Sequence, residues 1–169
     1  MTSGELTVFE KTMQNYADWT GEGEAPAYPL YEGLEYVALV DRFPKFDGQV
    51  VIFPSHGQPG QETAPYNLPP SLRLGMDYLT HVIQTRMSSR YPKGRIIRHE
   101  EGFAVPDHPH VVLFPAQRGE GKKLYEPSQF EPDKSYYRET QRLLQLESDQ
   151  KRIVDEKLKR LIEAVVDWT

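Results

Sequence analysis

Apolar residues are spaced differently at the beginning, in the middle and at the end of this 169-residue chain. Near the beginning, Leu6, Phe9, Met13 and Tyr16 recur at intervals of three and four positions, which predicts one amphipathic helix within residues 5–19. The stretch that follows is rich in glycine and reaches a proline at position 26, and such residues end helices.

The middle of the chain contains short β-rich runs and one helical stretch. Residues 36–40 are an apolar run, residues 49–53 are a second β-rich run, and a glycine-containing loop joins them, which predicts an antiparallel pair of strands. Apolar side chains repeat at helical spacing over residues 72–90, after two prolines that can open a helix. Residues 95–99 and 108–114 are two more predicted strands. We therefore predict an α+β fold in which an antiparallel sheet of about five strands packs against a helix.

The end of the chain is a charged segment with an apolar stripe. Apolar side chains from Leu143 to Val165 repeat at helical spacing, and oppositely charged residues lie four positions apart. An unbroken helix over this segment would be about 50 Å long, which exceeds the size of one small domain. We expect either a break near Ser148 and Asp149 or packing of the helix along a partner subunit.

The distribution of proline agrees with a division into three parts. All 14 prolines lie between Pro26 and Pro132. We divide the chain into an N-terminal helix and linker (1–26), a central domain (27–132) and a C-terminal helical extension (133–169).

Composition excludes several classes of protein. The chain has no cysteine, which excludes a disulfide scaffold, a zinc ribbon, an iron–sulfur site and a thiol nucleophile. A net charge of −5 argues against binding to a nucleic-acid backbone. The sequence has neither an apolar run of membrane-spanning length nor the basic-then-apolar order of a signal peptide. We expect a cytoplasmic protein that binds neither nucleic acid nor membranes.

The densest chemical feature is a pair of histidines, His108 and His110, in a predicted strand. Because side chains alternate along a strand, both imidazoles should lie on one face, about 7 Å apart. Three interpretations are open: two surface histidines, two metal ligands completed by a carboxylate such as Asp107, or a nucleophile with a partner that orients it. Asp107 should point to the opposite face from its neighbour His108, which disfavours the metal site. We expect no metal and no cofactor.

Residues before and after the helix at 72–90 follow a pattern of elements known from one family. The first half is a strand, a turn-rich link and a second strand, and the second half is the helix followed by two strands. The positions that carry the pattern are Asp41, Pro44, Gly48, Pro54, Gly102, His108, His110 and Pro115. In this order, over about residues 30–116, the sequence resembles the histidine-triad family.

The resemblance implies a role for each matching residue. With Pro115 setting the register, His110 matches the family's middle histidine, which attacks the α-phosphorus of a nucleotide, and His108 matches the histidine that helps to orient it. Asp41 matches the residue that accepts hydrogen bonds from the ribose hydroxyls, and Phe43 would line the base pocket. The implied ligand is a purine nucleotide or nucleoside phosphate. The implied assembly is a homodimer in which two sheets join.

The sequence departs from the family's pattern at several positions. Val112 stands where the family has its third histidine, and Gln49 follows Gly48 where the family has histidine. Ala104 and Val105 stand where the family often has polar residues that hold phosphate oxygens, and Asp107 lies close by. Loss of a general acid or a phosphate donor typically costs about 10²–10⁴ in rate.

Two functions therefore remain in view. One is a nucleotide hydrolase or nucleotidyl transferase that acts at the α-phosphate of a nucleoside phosphate or phosphoramidate through His110. The alternative is a catalytically degenerate module of the same fold that binds a nucleotide or another protein. The other histidines, His56, His81 and His99, are interpreted as structural or exposed. Lys122 and Lys123 are interpreted as part of a solvated loop.

Overall fold

The computed structural model describes residues 5–57, 68–92, 95–101, 108–116 and 132–166. Within these ranges the chain forms a five-stranded antiparallel sheet with helices on both faces, so the α+β fold is confirmed. The strand order is β1-β2-β3-β5-β4. The elements are α1 (Val8–Ala17), β1 (Pro29–Glu32), β2 (Tyr36–Val40), β3 (Val50–Pro54), α2 (Pro70–Arg90), β4 (Arg95–Glu101), β5 (His110–Ala116), α3 (Tyr136–Leu144) and α4 (Ser148–Val166).

The predicted antiparallel pair is the centre of the sheet. β2 and β3 pair without interruption, from Tyr36 opposite Pro54 to Val40 opposite Val50. β5 pairs with β3 on one side and with β4 on the other. The pattern of apolar residues did not identify β1, whose four residues pair with β2 across an irregularity in register.

One predicted boundary is wrong in a way that matters for the site. The strand expected at 108–114 begins at His110, so His108 lies just before it. Pro109 has no backbone N–H and cannot donate a hydrogen bond to a neighbouring strand, which explains why the ladder does not extend back to His108.

The two faces of the sheet carry separate apolar clusters. On one face, alternate residues such as Ala38, Ile52 and Leu113 pack against the helices α2, α3 and α4. On the other face, residues such as Leu39, Val51 and Val112 pack against α1 and the linker after it. The sheet thus lies between α1 and the other three helices, and His110 and Val112 face the α1 side.

Helix α2 crosses the first face at very short distance from the sheet. Its first residue is Pro70, a position where the missing backbone N–H has no cost. The fully buried Tyr36 passes next to Gly75 and donates a hydrogen bond to the carbonyl oxygen of Leu72 at 2.9 Å. A Cβ atom at position 75 would overlap the Tyr36 ring, so this approach requires glycine.

Of the two alternatives predicted for the C-terminal segment, the structure shows the break in the helix. α3 ends at Leu144 and α4 begins at Ser148, and between them the Leu146 N–H donates to the carbonyl oxygen of Leu30 on β1. Because the segment forms two shorter helices, its length no longer indicates a partner subunit. Side chains of both helices, including Leu144 and Val154, pack into the same core as α2. The division of the chain at 26/27 and 132/133 stays a prediction.

None of the helices in the described ranges is long and apolar enough to cross a membrane.

Candidate active site

A cleft of about 1070 Å³ opens on the α1 side of the sheet. Its walls come from α1, the linker at 24–28, the loop between β2 and β3, and the strands β4 and β5. Six aromatic side chains contribute to its lining: Phe9, Tyr28, Phe43, Phe46, Phe114 and Tyr137. A cleft of this size with aromatic walls suits a flat ring system that stacks.

His110 lines this cleft at the start of β5. Its side chain is 2% exposed, and its Nδ1 lies 3.0 Å from the backbone carbonyl oxygen of His108. A carbonyl oxygen can only accept a hydrogen bond, so Nδ1 carries a proton, and in the neutral form of the ring the lone pair is on Nε2. The ring of Phe9 meets His110 edge-on, with the centroids 5.2 Å apart. His110 thus has a fixed tautomer and a fixed orientation.

His108 uses both of its ring nitrogens to hold other parts of the chain. Nε2 donates to the carbonyl oxygen of Pro54 at 2.5 Å, and Nδ1 accepts from the hydroxyl of Thr7 at 2.6 Å. The residue is fully buried, and this burial lowers the pKa of His108 to about 4. The ring is therefore neutral at pH 7. The group that orients His110 is the backbone carbonyl of His108, while the His108 side chain connects α1 to β3.

Helix α1 is fixed over this region by its first turn. Thr7 is the N-cap, and it forms a capping box with Glu10 in addition to its bond to His108. Phe9 stacks on Phe53 with the ring centroids 4.2 Å apart. Sequence reasoning placed the helix but did not include Thr7 or Phe9 in the site. The sequence Thr7-x-x-Glu10 ahead of an apolar stripe was a signal for the cap, whereas no local signal indicated that the cap would contact His108.

Asp41 lies at the end of β2, half-buried at the edge of the cleft. Its Oδ1 accepts a hydrogen bond from the backbone N–H of Phe43 at 2.9 Å, which is an Asx turn. Its Oδ2 accepts one from Nε2 of Gln49 at 2.8 Å. Both carboxylate oxygens keep lone pairs for further donors.

Phe43 lies at the mouth of the cleft and is 80% exposed. The guanidinium carbon of Arg42 lies 6.0 Å from the centre of its ring. An aromatic ring at this position can cover a planar ligand without losing much packing of its own.

Val112 lines the cleft on the same face as His110 and carries no polar atom. It is 8% exposed and lies opposite Val51 on β3. The position that the sequence resemblance matches to the family's third histidine is therefore an apolar surface inside the cleft.

The remaining sequence candidates are spread over the molecule. His81 is exposed on α2, and His56 is exposed after β3. His99 on β4 also lines the cleft, where its ring meets Phe114 edge-on at 5.4 Å between centroids. The positions discussed at Gly102, Ala104, Val105, Asp107, Lys122 and Lys123 lie outside the described residues.

In the described parts of the chain, no group of three or more histidine, aspartate or glutamate side chains could hold a metal ion. His108 in particular has both nitrogens engaged, since one bonds to Thr7 and the other to Pro54. The expectation of no metal and no cofactor stays a prediction.

No protein-family model and no curated sequence matches the chain. Several solved structures do match it over most of its length. A hypothetical histidine triad nucleotide-binding protein from Sulfolobus tokodaii has a TM-score of 0.53 at 14% identity, covering 93% of this chain and 92% of that one. A histidine triad protein from Marinobacter aquaeolei has a TM-score of 0.52 at 14% identity, covering 95% and 98%.

A Zn-bound histidine triad family protein from Mycobacterium smegmatis has a TM-score of 0.51 at 21% identity, covering 83% of this chain and 89% of that one. These identities are low, and what the structures share with this chain is the arrangement of helices and strands. The order of the elements, the five-stranded antiparallel sheet and these matches together lead to one conclusion: the chain has the fold of the histidine-triad proteins.

Proposed function

We propose that this protein is a nucleotide hydrolase or nucleotidyl transferase that acts at the α-phosphate of a nucleoside phosphate or phosphoramidate. The observation that carries the proposal is the state of His110. Its ring lines an aromatic cleft, and a backbone carbonyl holds its Nδ1 proton, so that in the neutral ring Nε2 carries the lone pair. An imidazole prepared in this way is a competent nucleophile near pH 7 without a separate base.

The reaction would proceed in two displacements. In the first, Nε2 of His110 attacks the α-phosphorus, a P–N bond forms, and the bond to the leaving group breaks with its electron pair going to that group. In the second, water attacks the same phosphorus and loses a proton to solvent, and the P–N bond breaks with its electron pair returning to Nε2. The nucleoside monophosphate is released and the imidazole is neutral again. Another acceptor, such as phosphate or a sugar phosphate, would make the reaction a transfer.

Asp41 and Phe43 would bind the nucleoside part of a purine nucleotide. The carboxylate of Asp41 faces the cleft and can accept hydrogen bonds from the ribose hydroxyls, while Phe43 can stack on the base. We assign His108 a supporting role, because its carbonyl orients His110 and its side chain anchors α1.

Val112 sets an upper limit on the rate. A valine can neither hydrogen-bond to a phosphate oxygen nor protonate a leaving group, and the loss of such a group typically costs about 10²–10⁴ in rate. We therefore expect slow turnover, with substrates that carry good leaving groups favoured.

A second candidate function is a nucleotide-binding or protein-interaction module without turnover. Two observations favour it: the apolar Val112 in the cleft, and the cover of Phe9 over the nearly buried His110. In this case the cleft would bind a nucleotide, but the covalent step would not occur.

One experiment separates the two candidates. Hydrolysis of adenosine 5′-phosphoramidate and of a dinucleoside polyphosphate is measured for the wild type, for His110→Gly and for the control His56→Ala, with AMP and GMP titrated by calorimetry. We expect turnover by the wild type and the control and none by His110→Gly, and a Val112→His variant should be faster than the wild type. Turnover that persists in His110→Gly would disprove the catalytic proposal, and binding without turnover would support the second candidate. Absence of both would exclude a nucleotide function.

We also propose that the protein is a cytoplasmic homodimer that binds neither nucleic acid nor membranes. β1 and β4 are the edge strands of the sheet, and such edges offer backbone groups to a second copy. Multi-angle light scattering should give twice the mass of the chain, and a monomeric mass would contradict the proposal.

A further inference from the structure

Gln49 occupies an unusual place at the base of the loop between β2 and β3. It follows Gly48, whose φ of 82° favours glycine, and precedes the first residue of β3. Its side chain is 6% exposed, although glutamine is usually found on the surface. A buried amide must have partners for both its oxygen and its nitrogen.

Both ends of this amide are satisfied within the loop. Oε1 accepts from the backbone N–H of Lys45 at 2.9 Å, and Nε2 donates to Oδ2 of Asp41 at 2.8 Å. The two partners fix the orientation of the amide, because an N–H needs the oxygen and a carboxylate needs the nitrogen. A glutamate here would bring a second carboxylate against Asp41, and a methionine would fill the space but bond to neither partner.

The same loop is also held from α3 by two adjacent tyrosines. The Gly48 N–H donates to Oη of Tyr136 at 2.8 Å, and Oη of Tyr137 donates to the carbonyl oxygen of Arg42 at 2.8 Å. These bonds fix the backbone at both ends of the loop. Among the described residues, the groups that hydrogen-bond to the Asp41 carboxylate, and so set its direction, are the Phe43 N–H and the Gln49 amide.

We propose that Gln49 is a positioning residue that aims the Asp41 carboxylate at the 2′- and 3′-hydroxyls of a ribose, and that the preference for ribonucleotides over deoxyribonucleotides depends on it. This inference rests on the proposed function, which gives Asp41 the ribose. Gln49 reaches the ligand through Asp41. A carboxylate that rotates would lose the paired contact with two adjacent hydroxyls, while the stacking of the base would be unaffected.

The test compares AMP with 2′,3′-dideoxy-AMP in the full-length protein. Hydrogen bonds to a charged group correspond to about a tenfold to hundredfold change in affinity, so the wild type should prefer AMP by a factor of about 10 or more. In Gln49→Met this preference should disappear, with the Kd of dideoxy-AMP unchanged. In an Asp41→Asn background, Gln49→Met should have no further effect on AMP. A Gln49→Met variant that is folded and keeps the wild-type preference would overturn the inference, since a merely structural role predicts equal losses for both ligands.

Hydrogen exchange of the loop amides gives a readout without any ligand. The Phe43 N–H donates to Oδ1 of Asp41, whereas the Gln49 amide bonds to Oδ2 and to the Lys45 N–H, so exchange at Phe43 should be faster in Gln49→Met if the carboxylate has lost its orientation. If the wild type binds neither nucleotide, the proposed function fails, whereas exchange at Phe43 still decides whether Gln49 orients Asp41. Unchanged exchange at Phe43 would refute the positioning role.

Discussion

Replacing His108 by glutamine removes a buried imidazole and leaves a neutral polar side chain of similar size. Burial lowers the pKa of His108 from its ordinary value of 6.5 to about 4 in the folded protein. The unfolded chain therefore takes up the proton first as the pH falls. The stabilisation from the neutral, buried ring is fully present above pH 6.5 and is lost as the pH falls from about 6.5 to about 4.

The size of the effect follows from the difference between the two pKa values. One pKa unit corresponds to about 1.4 kcal/mol, so the whole shift corresponds to about 3 kcal/mol. Between pH 7 and pH 5 the unfolded imidazole becomes almost fully protonated while the buried ring stays mostly neutral, which costs the wild type about 2 kcal/mol. Glutamine does not titrate in this range, so the variant does not lose stability in this way between pH 7 and pH 5. At pH 7 it should be less stable by about 1–3 kcal/mol, because the carbonyl of Pro54 and the hydroxyl of Thr7 lose well-placed partners.

Urea unfolding at pH 7, 6 and 5 measures the prediction. The free energy of unfolding of the wild type should exceed that of His108→Gln at pH 7, and the difference should narrow by about 2 kcal/mol at pH 5. The groups that act electrostatically on His108, namely Glu10, His56 and His110, are present in both proteins. His81→Gln, at an exposed position on α2, is the matched control and should follow the wild type. A difference that stays constant with pH would refute the reasoning.

Three further substitutions test single contacts by urea unfolding. Thr7→Ala removes both the N-cap of α1 and the hydroxyl bonded to His108, and should lower the free energy of unfolding by about 1–2 kcal/mol. An unchanged free energy of unfolding would mean that these two bonds do not stabilise the fold. Gly75→Ala should destabilise by about 1–3 kcal/mol, although alanine is the better helix former, because its Cβ would overlap Tyr36; a higher free energy of unfolding than the wild type would contradict the overlap. Tyr136→Phe leaves the buried Gly48 N–H without this acceptor and should lower the free energy of unfolding by about 1–3 kcal/mol. An unchanged free energy of unfolding would contradict this prediction.

The sequence pattern predicted the elements whose signals are local. β2 and β3 are continuous apolar runs, and α1 and α2 carry apolar stripes at helical spacing, so each could be read without its neighbours. β1 was not identified because it has four residues and no alternation of apolar and polar positions. Leu30 and Tyr31 of β1 are buried in the same core cluster as side chains of α3 and α4, and a pattern within β1 cannot indicate contacts with such distant parts of the chain.

The candidate site was predictable in part for the same reason. The alternation of side chains on β5 correctly placed His110 and Val112 on one face. The partners of His108 could not be predicted, because Thr7 lies 101 positions earlier in the chain. Gln49 entered the sequence argument as a departure from a family pattern, and its bond to Asp41 depends on how tightly the loop closes. Contacts between residues distant in sequence are decided by packing, which periodicity does not encode.

The two tyrosines at the start of α3 have a consequence for how the chain can be divided. A fragment that ends at Pro132 would contain His110, Asp41 and Gln49, yet it would lose the acceptor of the Gly48 N–H and the donor to the carbonyl of Arg42. Its loop would keep its sequence and lose its fixed ends. The shape of the loop at the edge of the cleft therefore depends on the last quarter of the polypeptide. If the cleft binds the proposed nucleotide, deletions in that quarter should weaken binding, although few of the residues that line the cleft would be removed.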